Sequence, residues 1–390
     1  MTIKENDEWN SDKILEDIES KISQHVVDDI SLFYGKSGIC IFYFEMFRHF
    51  GTPAYLGKCE KLIDEIVGAL KDRKTDYTIS RGLAGTAWAL DFLSSRGVEI
   101  DTQYKADIDA LLYINSLRAL MNRSVGYFDG SLGTVLYAAN RLPDDKATGF
   151  LYQYVAVIKS KMNQNLNLPP WDYFDSISKD SSHSYPTTLE SSVGVSDLAN
   201  ILTTVFKRDF LKNEIPSLVD RALTWLTSVH ATDDAYGQKA IHANPVLHSG
   251  ILRIAWTFWK AGVVFKQASW KSRALLLVDT LVQLSNKTEK SMLDASLLTG
   301  TSGIAHLFNR FYHETGDDRY LFQYLYWSKI TLDKVFDNKR QDEKQSRLSF
   351  NKIDVEKPIE TMAGIAGFGM TILSKNNITR FDWDECLLIT

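Results

Sequence analysis

Apolar residues follow two different patterns along the chain, and segments of the two kinds alternate. One kind is apolar on nearly all sides, as in residues 39–47 and 86–93. The other kind is amphipathic, with apolar residues four apart on one face, as in Leu62, Ile66 and Leu70. The first pattern is typical of helices buried on all sides and the second of helices at a protein surface. The sequence therefore predicts alternating inner and outer helices.

A pair of glycines three residues apart, or a remnant of such a pair, opens the apolar segments. The seven steps begin at Gly35, Gly82, Gly130, Ser191, Gly250, Gly300 and Gly364. A regular period of roughly fifty residues is typical of one helical unit that is repeated and buries its apolar face against its neighbours. Seven such units predict an all-α fold, an (α/α)7 toroid in which seven helical hairpins surround a central cavity.

The glycine pairs have a predicted role at the start of the inner helices. Two glycines three residues apart lie on the same side of the first turn, so inner helices can approach one another closely. They also leave backbone N–H groups exposed, and seven helix N-termini directed at one cavity make it mildly electropositive. A nucleophilic or anionic substrate is favoured there. A phosphate loop at residues 35–37 is excluded, because Ile30 occupies the position of the required glycine.

Composition bounds the class of protein. The repeat extends from the first to the last glycine step, which predicts one domain over residues 1–390 despite the length. Hydrophobic residues make up 44% of the chain, enough for a large core. The net charge of −5 and the absence of a Lys/Arg stripe exclude nucleic-acid binding.

Targeting signals and cysteine usage indicate the cellular compartment. Residues 1–10 are polar, and the longest apolar run, Ile39–Phe44, is far too short to cross a membrane. We therefore expect a cytoplasmic protein without a transmembrane segment. Cys40, Cys59 and Cys386 form no CxxC pair, and in a reducing compartment they are predicted to be free thiols.

Three long polar loops interrupt the repeat, at residues 163–186, 232–245 and 337–358. Long loops in a compact body are commonly lids or binding edges, and otherwise solvated connectors. The first loop contains Trp171 among other aromatic residues and is predicted to contact a ligand. The third loop is dense in charge and is interpreted as a connector.

The seven glycine steps resemble those of the lanthionine synthetase C-like family over essentially the whole chain. The resemblance is carried by Gly300–Phe308, by Thr315–Tyr320 and by Gly364–Gly369. It implies an (α/α)7 toroid. Bacterial members of that family form thioether rings by adding a cysteine thiolate to a dehydrated serine or threonine of the same peptide. A zinc ion held by two cysteines and a histidine binds the thiol and lowers its pKa, which otherwise lies near 8.5.

The residues that the family uses for zinc are replaced in this sequence. Where the family has Trp-Cys-Tyr-Gly, this chain has residues 247–250, so His248 stands at the first cysteine position. Leu298 and Thr299 stand where the family has Cys-His. Glu190 stands where the family places a histidine before the fourth glycine step. We therefore expect no zinc and no other cofactor.

Five residues are candidates for a role in the site. Glu190 and His248 are the candidate catalytic residues, as acid or base groups. A solvated carboxylate at 190 and a structural histidine at 248 are the alternatives. Arg253, Trp171 and Thr299 are predicted to contact substrate. Arg253 either points into the cavity towards a carboxylate or supports a neighbouring helix.

These observations lead to two hypotheses of different classes. In the first, the protein binds a dehydrated precursor peptide in its central cavity. It then either forms thioether rings without zinc or serves as a non-catalytic partner of a dehydratase, so whether it is an enzyme stays open. In the second, it is a carbohydrate-active enzyme that uses paired carboxylates on a helical toroid, with Asp172, Asp175 and Glu190 as candidates.

Overall fold

The computed structural model describes residues 9–70, 76–163, 187–229, 246–285, 293–336, 361–375 and 382–389. In these ranges the chain forms fourteen α-helices and a closing 3-10 helix, and no strand. The α-helices are α1 (Ser11–Ser23), α2 (Lys36–Phe50), α3 (Pro53–Leu70), α4 (Leu83–Ser94), α5 (Tyr104–Met121), α6 (Leu132–Asn140), α7 (Asp145–Asn163), α8 (Thr187–Lys207), α9 (Ile215–Val229), α10 (Val246–Val264), α11 (Ala268–Leu284), α12 (Thr301–Thr315), α13 (Asp318–Phe336) and α14 (Ile365–Leu373). The 3-10 helix is Asp382–Leu387.

The even-numbered helices form a closed inner ring. Each packs against the next in chain order from α2 to α14, and α14 packs back against α2. Each inner helix also packs against an outer partner: α3, α5, α7, α9, α11 and α13 follow their inner helices in the chain, and α1 covers α14. The predicted all-α toroid of seven helical pairs is confirmed. Within the described ranges, no helix combines the length and apolar character that a membrane crossing requires.

The second glycine of a step is a point of close approach. A Cβ atom on Gly85 would lie 1.9 Å from the carbonyl oxygen of Ile79, in the loop before the same helix, and 2.8 Å from Cβ of Leu32 in the preceding unit. A Cβ atom on Gly133 would lie 2.5 Å from Cβ of Ile79 in turn. Each glycine therefore makes room for its own loop and for an apolar side chain of the neighbouring unit.

Backbone hydrogen bonds join these loops to one another around the ring. The N–H of Phe33 donates to the carbonyl of Ser80 at 3.2 Å, and the N–H of Ser80 donates to that of Phe128 at 3.2 Å. On the other side of Phe33 along the ring, the N–H of Ala363 donates to the carbonyl of Phe33 at 2.8 Å, and the N–H of Leu297 donates to that of Ala363 at 2.9 Å. Five consecutive units are thus connected at the end of the toroid where the inner helices begin.

An aspartate turn precedes three of the inner helices, at Asp29, Asp76 and Asp294. Each carboxylate accepts the backbone N–H two residues later, at 2.6, 2.9 and 2.9 Å. Each aspartate carbonyl accepts the first N–H of the following helix, at 2.8, 2.8 and 3.0 Å. The first N–H groups of α2, α4 and α12 are therefore bonded within the protein. The expectation that N–H groups at the helix starts are exposed to the cavity does not hold for the first N–H of these three helices.

The three cysteines are free thiols, as predicted. All three are buried, and the Sγ atoms of Cys40 and Cys59 lie 3.2 Å apart between α2 and α3. Burial raises the pKa of the Cys40 and Cys386 thiols well above their ordinary value. Thiolate formation at these positions is therefore suppressed.

Candidate functional site

A small cavity lies inside the ring, where the first turns of α10 and α12 face each other. Its volume is about 20 Å³, which is room for about one water molecule. Its wall includes Ser249, Arg253, Leu298, His306, Leu387 and Ile389. The wall is thus apolar except for one hydroxyl, one guanidinium and one imidazole.

Arg253 takes the place of the second glycine in the fifth step, and its side chain lines the cavity. Its Nη2 atom donates to Oδ1 of Asp197 on α8 at 2.7 Å. Its guanidinium lies 4.8 Å from the ring centre of Phe128. Burial raises the pKa of Asp197, and the charge of Arg253 opposes that rise. Arg253 therefore lines the cavity and also joins α10 to the neighbouring helix α8. Its contact with a substrate stays a prediction.

The three positions that the family resemblance assigns to zinc ligands do not form a ligand set. Leu298 lines the cavity and has no donor atom. Thr299 is exposed, with its hydroxyl 3.4 Å from that of Ser296. His248 is fully buried, and its ring centre lies 6.1 Å from that of Trp327 on the outer helix α13. The structure thus brings Leu298 and Arg253 to one cavity, with His248 packed against an outer helix.

The donor chemistry at these positions does not fit a zinc ion. Zinc in proteins is held by thiolate, imidazole or carboxylate groups at a common centre. Of the three residues only His248 carries such a group. Among the residues that the structure describes, no group of three or more His, Cys, Asp or Glu side chains is arranged to hold a metal ion.

The remaining predicted site residues have side chains outside the part of the chain that the structure describes. Glu190 is in α8, but its side chain is outside the described part of the chain. Trp171, and the carboxylates Asp172 and Asp175 of the alternative hypothesis, lie outside the described residues altogether. Their roles stay predictions.

A buried ionisable pair in the ring was missed at the sequence level. The Nε2 atom of His306 on α12 lies 2.8 Å from Oδ2 of Asp384, and both side chains are fully buried. Nε of Arg310 lies 3.5 Å from the same oxygen. The pair joins residues 78 positions apart, so no local pattern indicates it. The only available signal was a histidine and an arginine four residues apart on an apolar inner helix.

Asp384 belongs to a segment that lies inside the ring, here named the plug segment and defined as Asp382–Ile389. From Trp383 to Ile389 its side chains are at most 6% exposed, apart from that of Glu385. It contacts Arg96 just after α4, Asn200 on α8 and His306 on α12. Its inner end, at Leu387 and Ile389, forms part of the cavity wall. The hollow of the toroid is therefore filled by the protein's own chain up to the candidate site.

The fold and the site define a helical toroid with a narrow cavity where its inner helices begin. A family model described as lanthionine synthetase C-like protein matches residues 26–185 and 242–388. The chain belongs to the lanthionine synthetase C-like family. This membership links the protein to lanthipeptide-type peptide modification.

A solved structure named nisin cyclase is similar to this chain. The TM-score is 0.64, the sequence identity is 14%, and the match covers 99% of this chain and 98% of that one. At this identity the likeness shows the fold alone. No curated protein sequence matches the chain significantly.

Proposed function

We propose that the protein binds a dehydrated precursor peptide of lanthipeptide-type modification at the end of the toroid where the inner helices begin. Family membership supports a peptide ligand. Leu298 offers an apolar contact at the cavity wall, beside the ion pair of Arg253 with Asp197. The apolar contact suits a dehydrated peptide, whose modified residues are apolar.

We further propose that binding occurs without zinc and that the protein is a non-catalytic partner, for example of a dehydratase. The observation that carries this proposal is the replacement of the zinc ligands by Leu298, Thr299 and a His248 packed against Trp327. Without a metal, the peptide thiol keeps a pKa near 8.5 and is mostly protonated at neutral pH. Ring formation would then be slow unless another base were in contact with the thiol.

Zinc-independent ring formation is the competing version. It requires Glu190 or His248 to take the thiol proton. The contact of His248 with Trp327 gives this version little support, because the imidazole is packed against an outer helix.

A carbohydrate-active enzyme is disfavoured by the family membership. We also propose that residues 1–390 form one domain and that the protein is cytoplasmic.

The proposal is tested with the full-length protein and a fluorescent, dehydrated peptide that contains Ser, Thr and Cys residues. We expect saturable binding by fluorescence anisotropy, no loss of peptide thiol by alkylation and mass spectrometry, and no bound zinc by elemental analysis. Leu298→Asp should weaken binding about tenfold, because it places a charge on the apolar wall. Leu276→Asp, the same change at an exposed site on α11, is the matched control.

Three results would contradict the proposal. Stoichiometric zinc together with loss of peptide thiol would show that the protein is a zinc-dependent cyclase. Thiol loss without zinc, abolished by Glu190→Gln or His248→Gln, would favour the zinc-independent version. Equal peptide binding by the Leu298→Asp and Leu276→Asp variants would move the peptide site away from the cavity.

A further inference from the structure

The toroid holds the plug segment through its backbone. The hydroxyl of Tyr127 donates to the carbonyl of Cys386 at 2.8 Å, and Nδ2 of Asn200 donates to that of Leu388 at 2.7 Å. Nη2 of Arg310 donates to the carbonyl of Ile389 at 3.4 Å. These donors come from three different parts of the ring. These side-chain donors are directed at backbone carbonyls in and just after the 3-10 helix, so they hold the segment largely irrespective of its side chains.

The orientation of the Asn200 amide is fixed by a second residue. Nζ of Lys260 on α10 donates to Oδ1 of Asn200 at 2.9 Å and to the hydroxyl of Thr204 at 2.9 Å. A backbone carbonyl can only accept, so the NH₂ group of the amide must face Leu388 and its oxygen must face Lys260, whose nitrogen can donate whether or not it is charged. The donor to Leu388 is therefore preorganised by the ring itself.

Acidic side chains anchor the other end of the segment. Asp382 pairs with Arg96 at 2.7 Å, and Glu385 pairs with Arg208 at 2.6 Å, near the ends of α4 and α8. Both arginines are partly exposed, at 24% and 34% of the side chain. Between the anchors, Asp384 contacts His306 in the interior. The segment thus has an acidic outer part and an apolar inner part, which ends at the candidate site.

We propose that the hollow of the toroid is a binding site for an acidic and apolar peptide, and that the plug segment is its intramolecular ligand. The segment fills the hollow from the ends of α4 and α8 inward, and Leu387 with Ile389 sets the depth of the cavity. A tethered ligand acts at a millimolar effective concentration, so the site is saturated in the intact chain. That a precursor peptide binds next to the inner end of the plug segment rests on the proposed function. That the plug segment occupies the hollow does not.

The first test replaces Asp384→Ala in the full-length protein, which leaves His306 without its carboxylate partner in the plug and weakens the tethered ligand. A fluorescent, acetylated peptide of residues 382–389 retains the aspartate and should bind this variant. It should also raise the midpoint of its thermal unfolding. The matched control peptide carries the Asp384→Ala change and should do neither. The unaltered protein should bind neither peptide, because its own segment occupies the hollow.

A second variant tests the inference in case the Asp384→Ala variant does not fold. Arg96→Ala with Arg208→Ala removes the two partly exposed outer anchors of the plug segment. Hydrogen exchange of the plug segment should become about tenfold faster, since each exposed pair contributes modestly. Exchange in α2 and α12 should not change. Arg319→Ala, which removes an exposed ion pair with Asp317, is the control and should leave the plug segment unaffected.

Two outcomes would overturn the inference. The first is equal binding of both peptides, or of neither, by a folded Asp384→Ala variant. The second is exchange of the plug segment only together with the inner helices, which would make it an inseparable part of the core. Neither outcome depends on the precursor peptide. A failure of precursor binding with successful binding of the plug peptide would reject the proposed function and leave this inference intact.

Discussion

Arg253 and Asp197 form an ion pair across 2.7 Å that joins two adjacent inner helices at the wall of the candidate site. Their side chains are 14% and 8% exposed, so water screens the pair only weakly. Arg253 stands at the second glycine position of its step, and Asp197 is the carboxylate that pairs with it. The two residues lie on different inner helices, α10 and α8.

Breaking this pair on one side should destabilise the protein. We expect Arg253→Met to lower the free energy of unfolding by about 3 kcal/mol, because it leaves the Asp197 carboxylate buried without its cation. The double variant Arg253→Met with Asp197→Leu should recover most of that loss. Urea unfolding of the two variants measures the difference. A single variant as stable as the unaltered protein would show that water reaches Asp197 freely.

Glu45 should make stability fall as pH rises from about 4.5 to 7. Burial raises the pKa of this carboxyl on α2 to about 7, despite Arg48 at 2.8 Å. The folded protein therefore keeps a proton that the unfolded chain, with a pKa of 4.5, has already lost. The contribution is fully present below the unfolded pKa and is lost as pH rises through the folded pKa.

The variant Glu45→Gln isolates this effect. The free energy of unfolding of the unaltered protein minus that of the variant should decrease across this pH window and be level above it. Urea unfolding at several pH values measures it. A difference that is constant with pH would show that Glu45 is ionised in the folded protein throughout.

Lys260 should have the opposite dependence at higher pH. Burial lowers the pKa of its ammonium group to about 7, from 10.5 in the unfolded chain. Between these values the folded protein binds fewer protons than the unfolded chain, so stability increases as pH rises from about 7 to 10.5. This contribution is lost as pH falls through the same interval.

Replacing Lys260→Met should remove that dependence, as measured by urea unfolding between pH 7 and 10. The same variant removes the donor that orients Asn200, so the plug segment should also exchange its amide hydrogens faster. Lys271→Met on the neighbouring outer helix is the control for loss of a lysine. If the free energy of unfolding changed with pH in the same way for Lys260→Met and for the unaltered protein, the pKa of Lys260 would not be lowered by burial.

The glycine steps give a prediction about packing. Gly85→Ala should destabilise the protein by about 3 kcal/mol or more, because the added methyl group would overlap the Ile79 carbonyl, which is backbone and cannot move aside. Gly57→Ala, in the exposed outer helix α3 with open space around it, should be neutral or stabilising by about 0.5 kcal/mol. Thermal unfolding compares the two. Similar effects of both changes would show that the loop before α4 adapts readily.

The fold could be predicted because each of its determinants is local. Gly82 and Gly85 open an inner helix, an apolar run extends it, and an amphipathic segment follows; each can be recognised within about twenty residues. Repetition of the unit then implies the ring. The aspartate turns were also within reach, since Asp29, Asp76 and Asp294 each stand six residues before a glycine step. They were overlooked because three aspartates in seven units make a weak pattern.

The candidate site was predictable only in part. Arg253 was a candidate for the cavity through its place in the fifth glycine step, and Leu298 through its match to a zinc-ligand position of the family; both line the cavity. His248 also stands next to a step, but its direction depends on Trp327, which is on a different hairpin. A position along a helix is encoded by the sequence, whereas the face that a side chain presents to the cavity depends on the packing of its neighbours.

The sequence by itself determined the class of the molecule: an all-α toroid of inner and outer helices in seven pairs. Tertiary structure alone decided that the hollow holds the plug segment, that Asp384 meets His306, and that Lys260 orients Asn200 towards Leu388. The physical reason is the range of the interactions. Helix formation and burial of an apolar face depend on nearby residues, whereas hydrogen bonds and ion pairs form between residues that the closed ring brings together from distant parts of the chain.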